Sequence, residues 1–143
     1  MKKNHIIVLL IIFLCIAITA IFAGYTTARP DPETGLTAWI AAVNIHDYDR
    51  VYDLAPQDIR QQISRPAFIA AQRDNPFLAS GNIIKGYTVE NKTISGNDGA
   101  ITVQLLLHVP AAGNQSAQDI PLYIKFVEIF ENGAWHVWTT SPG

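Results

Sequence analysis

The densest run of groups able to do acid–base chemistry is His46-Asp47-Tyr48-Asp49. A carboxylate next to an imidazole is what a general base requires. The run also has a plainer explanation. Asp47 stands just before an apolar periodic stretch, where its side chain can accept backbone N–H groups, and Asp49 falls in the first turn, where negative charge suits the helix dipole. Capping accounts for both carboxylates. Two further imidazoles, His108 and His136, lie in strand-like sequence and could pair with a carboxylate such as Glu128, although no spacing demands it. The chain has five serines, mostly at caps and turns, and no phosphate-binding Gly-rich loop, His-Glu-x-x-His segment or Gly-x-Ser-x-Gly elbow. A single Cys excludes an internal disulfide and a Cys-rich zinc centre. No catalytic residue, metal or cofactor is therefore expected. The aromatic residues Trp39, Tyr48, Tyr52, Phe68 and Trp135, together with His108, are the candidate lining of a pocket for a small apolar ligand. A domain of this size also needs most of those rings simply to fill its core.

The elements that would position these residues fall into two halves. Asp31-Pro32 is a helix start, a capping side chain followed by a proline whose missing N–H does no harm. Leu36, Trp39, Ile40 and Val43 then recur at helical spacing. Gly35 should weaken this helix by up to ~1 kcal/mol. Asp47 caps a second short helix with Tyr48, Val51 and Tyr52 inward. Pro56 interrupts it, Ile59 and Ile63 mark another turn or two, and Ser64 caps a last helix with Phe68 inward that stops near Asn75-Pro76.

From Ile83 the pattern becomes that of strands. Ile83–Ile94 is rich in β-branched and aromatic residues, and Gly96-Asn97-Asp98-Gly99 is a tight-turn signal. Ile101, Val103, Leu105, Leu107 and Val109 alternate with a second row ending at His108. A third strand covers about 120–130 and a fourth 134–140, joined at Glu131-Asn132-Gly133. The third strand is apolar on both sides, so either a homodimer or protein partner covers the outer face of the sheet, or the strand is central and covered at its ends. Asn91-Lys92-Thr93 and Asn114-Gln115-Ser116 are N-glycosylation sequons, weak signals in a chain of this composition.

The N-terminus carries the other clear signal. Lys2 and Lys3 precede Ile6–Ala23, a run without charge or proline. As a helix it would extend about 27 Å, near the thickness of a bilayer core. The run is longer than a usual signal-peptide core, so an uncleaved signal anchor is expected, with cleavage after Ala23 or Ala28 and a buried soluble helix as the alternatives. Leu14 makes Cys15 a poor lipoprotein site. The lysines should stay cytoplasmic, which would leave the rest extracytoplasmic. The expected division is an anchor at 1–24, a linker at 25–30 and a folded domain at 31–143. The chain's 143 residues allow one modest domain, and its net charge of -2 argues against a nucleic-acid partner.

Trp39, Asn44, Asp47, Tyr48, Tyr52, Leu54, Gly133 and Trp135, set in DPETGLTAWIAAVNIHDYDRVYDLAP and IFENGAWHVW, resemble the nuclear transport factor 2-like superfamily over about residues 31–140. The resemblance is closest to its small secreted or membrane-anchored members. It implies a cone in which a strongly curved antiparallel sheet wraps the helices around a pocket. The expected fold class is thus α+β, an N-terminal transmembrane helix followed by helices packed on a strongly curved four-stranded antiparallel sheet. The expected function is a membrane-anchored extracytoplasmic domain that binds a ligand or partner without catalysis. The alternatives are a pocket enzyme of the isomerase or dehydratase kind and a self-associating structural module. Fold alone does not choose among these.

Overall fold

The computed structural model describes residues 28–78 and 81–139. Helix α1 (Glu33–Asn44) starts as its sequence requires: Asp31 Oδ1 accepts the Glu33 N–H at 2.9 Å, and Pro32 already has helical angles. It buries Gly35, Leu36, Trp39, Ala42 and Val43, a stripe at helical period. It ends at a left-handed His46 (φ 57), with the Asp47 N–H donating to Ala42 O at 3.0 Å. This C-terminal cap usually selects glycine.

Helix α2 (Tyr48–Leu54) is capped by Asp47, whose Oδ1 accepts the Arg50 N–H at 3.0 Å. Helix α3 (Gln57–Gln62) buries no residue, whereas α4 (Arg65–Arg73) buries Phe68. The Ser64 side chain makes no capping bond, contrary to expectation. Arg65 ties α4 to α2 instead: it pairs with Asp49 and Asp53 and lies 4.6 Å over the Tyr52 ring. A short 3-10 turn (Pro76–Leu78) leads to the sheet.

The strands are β1 (Ile83–Ser95), β2 (Asp98–Val109), β3 (Gln118–Glu131) and β4 (Ala134–Thr139). They form one antiparallel sheet in the order β1-β2-β3-β4. Two tight turns set the registers. Gly96 (φ 58) opens the β1–β2 loop, and Asn132 and Gly133 (φ 54 and 81) form the β3–β4 loop, both positions left-handed as a right-twisting hairpin prefers. Ile101, Val103, Leu105 and Phe126 are fully buried under the helices. On the other face Tyr123 is 63% and Leu106 40% exposed.

Two parts of the expected fold class are corrected. The sheet is not strongly curled into a cone. Sheets curl through bulges, and β2 and β3 pair from Asp98↔Ile129 to Val109↔Gln118 without any register shift. Bulges occur only on the edge strand β1, between Ile84 and Gly86 and between Val89 and Asn91, where they bend one margin rather than the whole sheet. The second correction concerns the membrane. Among the described residues no helix is long and apolar enough to cross one. The expected transmembrane helix and single-pass extracytoplasmic location therefore find no support, and Ile6–Ala23, on which they rested, lies outside the described residues.

Candidate functional site

Two bulges in β1 decide which side chains face α1. They switch the alternation between them, so Tyr87 and Val89 point toward the helices, opposite the buried Leu105 and Val103. Tyr87 forms one wall of a shallow, largely open groove of about 560 Å³ between β1 and α1. The other wall is small and half polar: Thr34, Thr37, Ala38 and Ala41 of α1. The Tyr87 hydroxyl lies 3.3 Å from Thr37 Oγ1 and 3.5 Å from Glu33 Oε2.

One end of the groove is acidic. Asp31 and Glu33 line it, and the Lys92 ammonium reaches over from β1 to Glu33 Oε1 at 2.8 Å and Asp31 Oδ2 at 3.1 Å. The Glu33 N–H and Lys92 together hold the Asp31 carboxyl below its ordinary range, and Glu33 and Asp31 raise the Lys92 ammonium above its own. Behind this cluster stands Glu128. It is fully buried, and neither carboxylate oxygen has a hydrogen-bond partner among the described residues. Its cross-strand neighbours on the helix-facing side are Gly99 and Val137. A Cβ on Gly99 would lie 3.3 Å from Trp135 and 3.5 Å from Glu128 Cβ, so the glycine leaves Glu128 room beside the indole. Burial is the main cause that pushes the Glu128 carboxyl up to about 8. The negative charges of Asp31 and Glu33 add to it, and Lys92 opposes it. At neutral pH Glu128 is thus chiefly a neutral acid, able to donate a proton.

Asn44, one turn past Ala41 at the end of α1, ties the helix to β1. Its Nδ2 donates to Ile84 O and its Oδ1 accepts the Ile84 N–H, both at 2.9 Å. The amide therefore substitutes for one residue of a missing neighbouring strand. Beyond it, among the described residues, β1 has β2 as its one hydrogen-bonded neighbour in the sheet, which leaves the edge bordering the groove with backbone groups to pair.

The residues singled out in the sequence occupy other places. Trp39, Tyr48, Tyr52 and Phe68 belong to the core cluster. Trp39 meets Phe126 edge-on at 5.1 Å, and Tyr52 meets Phe68 at 5.4 Å. Trp135 is buried against Phe130 and donates its indole N–H to Pro30 O at 2.8 Å. His108 is on the opposite face of the sheet, with Nδ1 2.6 Å from Asp119 Oδ1. Its partner is thus Asp119 and not Glu128, and Lys85 shares the same carboxylate. His136 Nδ1 is buried without a partner among the described residues. The Asp47 and Asp49 carboxylates serve a cap and an ion pair. Sequence reasoning missed the groove, Asn44 as an edge clamp and Glu128 as its buried acid. For Glu128 the signal was present: it shares the parity of Leu122, Ile124 and Phe126, the row that turns inward.

No family model matches the chain, and no curated protein matches it. Solved structures do. A solution structure of a SEC-C motif containing protein from Rhodopseudomonas palustris is similar at a TM-score of 0.50 and 10% identity, covering 72% of each chain. A crystal structure of a SEC-C motif containing protein from Psychrobacter arcticus has a TM-score of 0.49 and 14% identity, covering 82% of this chain and 64% of the other. The expectation of a nuclear transport factor 2-like membrane-anchored extracytoplasmic binding domain is corrected accordingly: the structure similar at a TM-score of 0.50 is a SEC-C motif protein, and nothing in the comparisons shows a membrane-anchored head. At such low identity the likeness of the first structure extends to the fold alone.

Proposed function

We propose that this domain is a protein-interaction module that takes an extended peptide segment in the groove between α1 and β1. The observation that carries the reading is the coincidence of a groove of about 560 Å³ with the free edge of β1. An added strand gains main-chain hydrogen bonds from the edge, and its alternate side chains enter the space along α1. Thr34, Ala38 and Ala41 are small enough to admit them. The bulges beside Lys85 and Glu90 break β1 into short regular stretches, Gly86–Val89 between them and Asn91–Ser95 beyond. This limits open-ended strand addition while leaving room for a short segment. The acidic end supplies direction, since a segment with a basic residue at one end fits one way round.

The test is selection from a random peptide library displayed on phage, followed by fluorescence polarisation with the enriched sequences. The expected result is a set of extended peptides bound by the wild-type chain and lost in Ala41→Trp, a change at an exposed helix position that fills the groove. Failure to enrich any sequence, or binding indifferent to Ala41→Trp, overturns the reading.

A further inference from the structure

We propose that the acidic end of the groove is a subsite for one basic side chain of the docked segment, a lysine ammonium or an arginine guanidinium, and that the buried Glu128 carboxyl becomes its counter-charge. This inference rests on the peptide-groove reading above.

Three observations carry it. First, the site already holds an ammonium: Lys92 Nζ is within 2.8 Å of Glu33 and 3.1 and 3.3 Å of the two Asp31 oxygens. The geometry suits a cation, but two carboxylates face one lysine, and among the described residues Glu33 Oε2 has only the long contact to Tyr87 at 3.5 Å. One negative charge remains to be matched, and charge-assisted bonds are the strongest available there. Second, the groove running up to this end offers the Tyr87 ring and the Thr37 and Ala38 side chains, which suit the methylene stem of a long basic residue. Third, Glu128 is fully buried behind the cluster with both oxygens unpartnered among the described residues. A buried polar group without a partner is costly in the free protein, so its retention needs a reason.

The charged groups acting on Glu128 are Asp31 and Glu33 from the start of α1 and Lys92 from β1. The flanking strands present Gly99 and Val137 beside it. Arg29, the other cation at this end of the domain, is stacked 4.1 and 4.2 Å from the Phe130 and Trp135 rings. Burial and the two carboxylates keep Glu128 protonated up to a pH of about 8. A second cation beside Asp31 and Glu33 favours the ionised form, so docking expels the proton to solvent. By linkage the basic segment then binds more tightly as pH rises toward that value, and no proton is released above it.

The experiment uses two acetylated, amidated pentapeptides, Val-Thr-Lys-Val-Thr and the same sequence with norleucine in place of lysine, titrated into the full chain. Affinity and the Glu128 side-chain carboxyl carbon are followed by NMR across pH. The lysine peptide is expected to bind about tenfold more tightly, a difference of ~1.4 kcal/mol. It should also shift the Glu128 titration toward lower pH. In Glu128→Gln the affinity ratio of the lysine to the norleucine peptide should fall several-fold and lose its pH dependence. Equal affinity for the two peptides overturns the basic subsite and leaves the groove reading standing. A lysine preference that neither moves the Glu128 titration nor responds to Glu128→Gln overturns the counter-charge role. Binding of neither peptide overturns the subsite and the groove together.

Discussion

Glu128 gives the folded chain an unusual dependence on pH. Its carboxyl rises from the ordinary 4.5 to about 8 on folding, chiefly because it is buried. Between those values the native state keeps a proton that the unfolded chain releases, so stability falls as pH rises through the window and levels off above it. At pH 7 the loss is on the order of 3 kcal/mol. Glu128→Leu should therefore stabilise the protein by about that amount at pH 7 and much less near pH 4.5. Urea denaturation across pH measures this, and parallel profiles for the two proteins would place the effect elsewhere. The exposed carboxylates work the other way. Asp31 is lowered by the Glu33 N–H and Lys92, and Asp119 by Lys85 and His108; both contribute stability that is lost as pH falls below the usual carboxylate range. Maximum stability is expected on the acid side of neutrality.

Asn44 is the second residue whose chemistry can be isolated. Both of its hydrogen bonds go to the backbone of Ile84, a residue only 4% exposed. Asn44→Ala leaves a poorly hydrated N–H and C=O without partners, which costs about 1–3 kcal/mol. Asn44→Asp keeps the acceptor for the Ile84 N–H but sets a carboxylate oxygen against Ile84 O, two acceptors face to face, and should cost at least as much. Amide hydrogen exchange at Ile84 is the specific readout. It should accelerate in Asn44→Ala well beyond what the global loss of stability accounts for.

At the scale of elements, α1 docks closely because of one glycine. A Cβ on Gly35 would stand 2.8 Å from Val137 Cγ2 and 2.9 Å from Trp135 O, contacts no ordinary side chain makes. The Trp135 oxygen is backbone and cannot rotate away. In an isolated helix, Gly→Ala would gain up to ~1 kcal/mol. Here overpacking opposes it, typically by about 1–3 kcal/mol, so Gly35→Ala should be net destabilising. Thermal unfolding of Gly35→Ala beside an exposed control, Thr37→Ala, separates the two contributions. A gain in stability at Gly35 would mean that α1 stands further from β4 than these distances state.

The same elements explain what the sequence could and could not reveal. The Asp47 cap, the Asn132-Gly133 turn and the β2 alternation are local signals, written in adjacent residues, and the structure follows them. Ser64 sat at the right place for a cap but makes no capping bond, because propensity describes a position and not a realised bond. The bulges in β1 have no such signature. Unbroken alternation from Ile84 would turn Gly86 and Thr88 inward, yet Tyr87 and Val89 face the helices. The groove depends on that switch, so it could not be read from period alone. Curvature of the sheet was inferred from family likeness rather than from residues, and it is the part that had to be corrected.

For the whole molecule, the organising fact is that the described helices cover one face of the sheet only. Leu105 and Leu106 are consecutive residues of β2, the first 0% and the second 40% exposed. Leu105→Ala removes methyl groups from a filled core and should cost about 2–5 kcal/mol. Leu106→Ala, in a neighbourhood that includes the exposed Tyr123, should change stability by less than ~0.5 kcal/mol. The contrast also tests the expectation of a partner through the sheet. If a second copy covered the open face in solution, Leu106 would be a core residue of that dimer. Its truncation would then be costly, and the cost would depend on protein concentration. Urea midpoints for both variants at two concentrations about a hundredfold apart decide the matter, because mass action moves the midpoint of a dimer and leaves that of a monomer fixed. The groove lies on the helix-bearing side, so its availability to a peptide should be the same in either case.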